Sequence, residues 1–181
     1  MKKKILDKQE LGKIIEEISE NLFSYFNGKF EEICVIGIKN RGDIIAKRII
    51  EKLEKKGKFK ILFGAIDITL YRDDLSSIGP KPLVGTTEID FQIDGKTVLL
   101  VDDVLFTGRT IRAAIDEIID FGRPKRIFLL VLIDRGGREL PICPDFVGKR
   151  IDCEEGENVA VCIDEIDGEE GVYILNNRKD L

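Results

Sequence analysis

The sequence predicts an α/β fold, a mostly parallel sheet flanked by helices. Two observations carry this. Residues 33–38, 97–101 and 127–133 are near-continuous apolar runs, the habit of strands buried on both faces. Segments with one apolar face at helical spacing lie before and between them, and strands that alternate with helices are joined by crossovers and so lie parallel.

The elements follow in order. Asp7 with Glu10 has the spacing of a helix start, and Leu11, Ile14, Ile15, Ile18 and Leu22 supply the buried face. Residues 33–38 form the first buried strand. After Gly42, the apolar residues Ile45, Ala46, Ile49, Ile50 and Leu53 mark a second helix that stops at Gly57. Residues 59–70 have strand character, and 71–91 show no period. The strand at 97–101 precedes a helix carried by Ile111, Ala114, Ile115, Ile118 and Ile119 and closed by Gly122 and Pro124. The strand at 127–133 comes next. Short strands are expected at 159–163 and 172–175.

A chain of 181 residues suits a single domain, 1–181. Charged residues make up 35% and the net charge is −5, so any nucleic-acid contact must be a local basic patch. There is no histidine, which removes the commonest general base and zinc ligand. The four cysteines form no Cys-x-x-Cys pair, and neither a signal peptide nor a membrane-length apolar run is visible. The expectation is a cytoplasmic protein with free thiols and no membrane partner.

In such sheets ligands bind beyond the carboxyl ends of the strands. There Asp102 and Asp103 follow the strand at 97–101, and Thr107, Gly108, Arg109 and Thr110 open a helix. A helix start presents unpaired N–H groups and the positive end of the dipole, which suits a phosphate. Two carboxylates beside it suit a sugar diol, or a magnesium ion carried by the same ligand. Helix capping alone would explain any one of these residues, but not the ordered run. Dinucleotide-binding and Walker A glycine patterns are both absent. Lys39, Asn40 and Arg41, between the first buried strand and its helix, offer cations and backbone N–H groups for a pyrophosphate. Tyr71, Arg72, Asp73 and Asp74 stand in the unperiodic stretch, where a lid is expected.

The run Val98-Leu99-Leu100-Val101-Asp102-Asp103-Val104-Leu105-Phe106-Thr107-Gly108-Arg109-Thr110 resembles the PRPP-binding motif of type I phosphoribosyltransferases, PRPP being 5-phosphoribosyl-1-pyrophosphate. Gly37-Ile38-Lys39-Asn40-Arg41-Gly42, Asp67-Ile68-Thr69-Leu70-Tyr71-Arg72-Asp73-Asp74-Leu75-Ser76 and Asp134-Arg135-Gly136-Gly137-Arg138-Glu139-Leu140-Pro141-Ile142 narrow the likeness. With Pro144-Asp145-Phe146-Val147-Gly148-Lys149 they resemble the PyrR family of pyrimidine operon attenuators, over nearly the whole chain.

The resemblance implies a uracil phosphoribosyltransferase that also binds an mRNA leader, with PRPP, uracil and the nucleotides UMP and UTP as ligands. It implies a small hood formed mainly by about 135–181. PRPP would lie along Lys39, Asn40 and Arg41 and along Asp102, Asp103, Val104, Leu105, Phe106, Thr107, Gly108, Arg109 and Thr110. Asp102, Asp103 and Arg41 would carry the catalysis, and Mg2+ would arrive on PRPP with no direct protein ligand. Ile133, Asp134, Arg135 and Val159 would lie near the base, and Arg135, Arg138, Lys149 and Arg150 would face RNA. Family members assemble as homodimers or higher homo-oligomers.

One departure stands out. The family pattern Arg-Gly-His-Arg-Glu-Leu-Pro-Ile-Arg is met here by Arg135 to Cys143, with Gly137 for the histidine and Cys143 for the last arginine. Three activities fit these residues: an enzyme that also binds mRNA, an enzyme with weak or no RNA binding, and a non-catalytic nucleotide sensor.

Overall fold

The computed structural model describes residues 2–68, 86–154 and 156–176. Five strands form a parallel sheet in the order β3-β2-β4-β5-β6: β2 Ile33–Ile38, β3 Leu62–Ile66, β4 Thr97–Leu105, β5 Arg126–Asp134 and β6 Phe146–Arg150. Three helices flank it: α1 Lys8–Tyr25, α2 Gly42–Lys56 and α3 Arg109–Phe121. A second, antiparallel sheet has the order β1-β8-β7, from β1 Lys2–Leu6, β7 Glu157–Cys162 and β8 Gly171–Asn176. A short helix, α4 Asp164–Asp167, joins β7 to β8.

Strand alternation explains the two-sided core. Val35, Leu99, Val101, Leu130 and Leu132 pack with the apolar faces of α1 and α2, whereas Cys34, Ile36, Val98, Leu100, Leu129 and Val131 pack with Ile111, Ala114 and Ile118 of α3. Each fully buried aliphatic side chain contributes about 1.5–3 kcal/mol. Leu6, Val161, Ile163 and Val172 of the small sheet and its β7–α4 junction join the first cluster, which seats that sheet on the α1/α2 side.

Acidic residues of α4 and the turn after it reinforce this seat. Arg48 of α2 pairs with Glu165 at 2.7 Å and Glu170 at 2.6 Å, and Lys8 pairs with Asp164 at 2.7 Å.

The expected helices and central strands are present, and α1 starts with the Asp7–Glu10 capping box. Four assignments differ. The strand expected at 59–70 is confined to Leu62–Ile66 among the described residues. Strand β4 runs on to Leu105, so Asp102 and Asp103 lie inside the ladder rather than after it. Two strands escaped sequence reasoning, β1 and β6. Both are edge strands, and edges carry exposed lysine and arginine in place of an apolar run. The C-terminal segment is therefore shared: β6 belongs to the large sheet, and the small sheet recruits the N-terminal β1.

Candidate active site

At the carboxyl ends of β2 and β4 a cavity of about 700 Å³ opens toward the small sheet. Lys39, Asn40 and Arg41 form one wall, the run from Asp102 to Ile111 another, and Asn158 to Cys162 of β7 a third.

The first wall is brought close by backbone packing. A Cβ on Gly42 would stand 2.4 Å from the Val101 carbonyl oxygen and 3.0 Å from the Asp102 Cα. Only glycine lets the α2 start press onto β4 beside the acid pair. Arg41 leads into that helix, and its guanidinium forms a two-point ion pair with Asp167 of α4, Nε–Oδ2 3.2 Å and Nη2–Oδ1 2.8 Å. The Lys39 ammonium turns to Glu88 at 2.6 Å and the Thr86 carbonyl at 2.8 Å.

On the second wall each acid is held close to the chain. Asp102 Oδ1 accepts the Asp103 N–H at 3.0 Å, and Asp103 Oδ1 accepts the Val104 N–H at 2.8 Å. Asp102 is buried. Burial pushes the Asp103 carboxyl above the usual carboxylate range, opposed by the Val104 N–H and by the Arg41 charge.

Helix α3 begins with little protection. Its N-cap, Gly108, sits at φ 93°, makes no side-chain cap and is followed by no acidic residue in the first turn. The Arg109 N–H reaches the Thr107 hydroxyl at a long 3.3 Å. By contrast α1 is closed at both ends of its capping box, Asp7 to the Glu10 N–H and Glu10 to the Asp7 N–H, each 2.9 Å. The first turn and dipole of α3 are thus open to an anion from outside. Thr107, Gly108, Arg109 and Thr110 all line the cavity at this point.

Ile133, Asp134 and Arg135 stand behind these walls rather than on them. Ile133 is fully buried. The Asp134 carboxylate is bound to Arg138 at 2.5 Å and to the Gly136 N–H at 3.0 Å, with Arg150 at 3.8 Å. Burial opposes its charge, but these partners outweigh it and hold the carboxyl below the usual range. Arg135 stacks on Phe106, 3.6 Å from the ring centroid, and donates to the Glu157 carbonyl. Val159 does line the cavity. Its neighbours Asn158, Ala160, Val161 and Cys162 were not legible as site residues, because nothing in a short strand at 157–162 signals which sheet edge it meets.

Of the residues expected to face RNA, Lys149 and Arg150 are exposed. Arg138 is turned inward, bonding Asp134, the Ile142 carbonyl at 3.1 Å and the Phe106 carbonyl at 2.9 Å. Tyr71, Arg72, Asp73 and Asp74, the expected lid, lie outside the described residues.

A covered parallel sheet whose acid-bearing strand runs into an open helix start is the type I phosphoribosyltransferase fold. The phosphoribosyl transferase domain family matches residues 1–166. Hypoxanthine phosphoribosyltransferases share the fold: a point mutant of the Trypanosoma cruzi enzyme superposes with a TM-score of 0.73 at 20% identity, covering 97% of this chain and 95% of that one. The Bacillus anthracis hypoxanthine-guanine enzyme gives 0.71 at 20%, covering 95% and 97%.

Closer relatives narrow the class. The bifunctional protein PyrR of Clostridioides difficile is 49% identical over 96% of this chain and 97% of its own length. That of Roseiflexus sp. is 48% identical over 96% and 94%. This chain belongs to the PyrR family.

Proposed function

We propose that the chain transfers the phosphoribosyl group of PRPP to uracil, giving UMP and pyrophosphate, and also attenuates pyrimidine gene transcription by binding an mRNA leader. The observation that carries the catalytic half is the open α3 start beside Asp102 and Asp103, with Arg41 across the same cavity. The 5′-phosphate takes the N–H groups and hydroxyls of Thr107 to Thr110. Asp102 and Asp103 take the ribose hydroxyls. The Lys39–Arg41 loop takes the pyrophosphate chiefly through the charge of Arg41, since the Lys39 ammonium is held by Glu88 and the Lys39 N–H by the Ile66 carbonyl. Phe106, backed by Arg135, and Val159 bound the uracil space.

As the bond to the anomeric carbon breaks, negative charge grows on pyrophosphate and positive charge on the ribose. Arg41 stabilises the first and the Asp pair the second. No covalent nucleophile is required. Among the described residues no group of three or more acidic, cysteine or histidine side chains could enclose a metal. Asp102 and Asp103, which line the cavity, would face a magnesium ion carried on PRPP, and such an ion would neutralise charge on the pyrophosphate. The chain works in the cytoplasm as a homodimer or larger assembly in this reading, and no described helix is long and apolar enough to cross a membrane.

A second reading, an enzyme with weakened RNA contact, is favoured by the inward Arg138 together with Gly137 and Cys143. UMP formation and pyrimidine-leader RNA binding, measured on one preparation with Mg2+ present, separate the two. Uracil turnover well above that of guanine and hypoxanthine is expected. Purine turnover as fast as uracil turnover overturns the base assignment.

A further inference from the structure

Arg41 is held from the far side by a residue 126 positions away. The Asp167 carboxylate takes the Nε and Nη2 edge of its guanidinium, and Asp167 Oδ2 also accepts the Ile163 N–H at 2.7 Å. The carboxylate is therefore anchored in the β7–α4 corner before it meets the arginine. Its side chain is 18% exposed and that of Arg41 34%, so the pair is shielded more than an ordinary surface bridge. Arg41 also acts electrostatically on Asp103, the second acid on its cavity. A flexible arginine between two carboxylates would collapse onto whichever it reached. Collapse onto Asp103 would cancel the charge meant for ribose and withdraw the charge meant for the leaving group.

We propose that Asp167 is a positioning residue for phosphoribosyl transfer: it fixes one edge of Arg41, keeps the guanidinium off Asp103 and leaves the opposite edge for the anionic leaving group. This rests on the transfer reaction proposed above. It gives α4 a role in chemistry that takes place on the other sheet.

The test uses the full chain. Asp167→Asn keeps an acceptor for the Ile163 N–H but loses the charge that holds Arg41, and Asp167→Glu restores the charge. The expected result for Asp167→Asn is a fall of about tenfold or more in kcat/KM for PRPP, with KM for uracil nearly unchanged and partial recovery in Asp167→Glu. In an Arg41→Ala background the same exchange should cost less than about twofold. Mg2+-pyrophosphate binding by calorimetry should weaken in Asp167→Asn independently of turnover, and thermal melts check that each variant folds. Equal losses with and without Arg41 overturn the proposal, because Asp167 would then act only on the small sheet. Tighter pyrophosphate binding in Asp167→Asn also overturns it, because Asp167 would then be a competitor. A wild-type chain that binds pyrophosphate but forms no UMP refutes the transfer reaction, and the calorimetry still decides the role of Asp167. If Asp167→Asn does not fold, Asp167→Glu decides: a fall in kcat/KM for PRPP that disappears in an Arg41→Ala background supports the proposal, and wild-type PRPP kinetics with only the melting temperature lowered overturn it.

Discussion

The Arg135 guanidinium carbon stands over Phe106, 3.6 Å from the ring centroid, and Gly137 packs against the same ring. A Cβ at position 137 would come within 2.5 Å of Phe106 Cε2, and the backbone there has φ 74°. The loop after β5 and the wall of the cavity are therefore one packing unit. The family histidine position cannot be changed here as if it belonged only to an RNA face.

Gly137→Ala is expected to lower stability by about 1–2 kcal/mol from the left-handed backbone alone. It should also push Phe106 aside and raise KM for uracil. Urea melts and steady-state kinetics check both. Cys143→Arg, at an exposed site, is the cleaner probe of RNA contact and should tighten leader binding without moving KM for uracil.

Asp103→Asn should cripple turnover and leave the fold intact. Burial raises the Asp103 carboxyl in the folded protein, so its contribution favours folding below the unfolded pKa and is lost as pH rises through the folded value. An amide escapes that loss while its oxygen still accepts the Val104 N–H. Melting temperature at pH 7 should equal or exceed wild type, the gap closing below about pH 4. Turnover should fall about tenfold to a hundredfold, the value of one charge-assisted hydrogen bond. A clear drop in melting temperature at pH 7, or unchanged kcat/KM, would count against this role.

Arg138 and Lys149 should separate structure from recognition. Arg138→Ala strips the buried Asp134 carboxylate of its 2.5 Å partner and should cost about 3 kcal/mol, the low end for a buried pair because the arginine keeps some contact with water. Lys149→Ala should leave stability and UMP formation alone, weaken leader RNA binding and reduce its salt slope by about 0.7. A filter-binding titration at several salt concentrations measures the slope, and no change there removes Lys149 from the interface.

The Arg48–Glu170 bridge should matter more than its neighbour. Glu170 is 6% exposed and Arg48 23%, whereas Lys8 in the adjoining Lys8–Asp164 pair is 67% exposed. Arg48→Met is expected to cost about 2 kcal/mol and to do so nearly equally at low and high salt. Lys8→Met should cost under about 1 kcal/mol, and less as salt rises. Urea midpoints at two ionic strengths test the contrast.

Periodicity and local chemistry already determined the three major helices, the buried strands and the ligand edge. Those features are written in neighbours: apolar side chains repeat within one element, and Asp102 to Thr110 follow one another through a strand and a helix start. The edge strands β1 and β6 were hidden because an edge needs charge rather than apolar repetition. Tertiary structure alone decided which charges are free. Arg41, Lys39 and Arg138 look alike in sequence as basic loop residues, yet their ion-pair partners are Asp167, Glu88 and Asp134. It likewise decided that β7 supplies the third wall, since a strand of the small sheet reaches the cavity only when both sheets have packed on a common core. Pairings that span the chain depend on how elements are stacked, and stacking is a property of the whole fold rather than of any segment's own pattern.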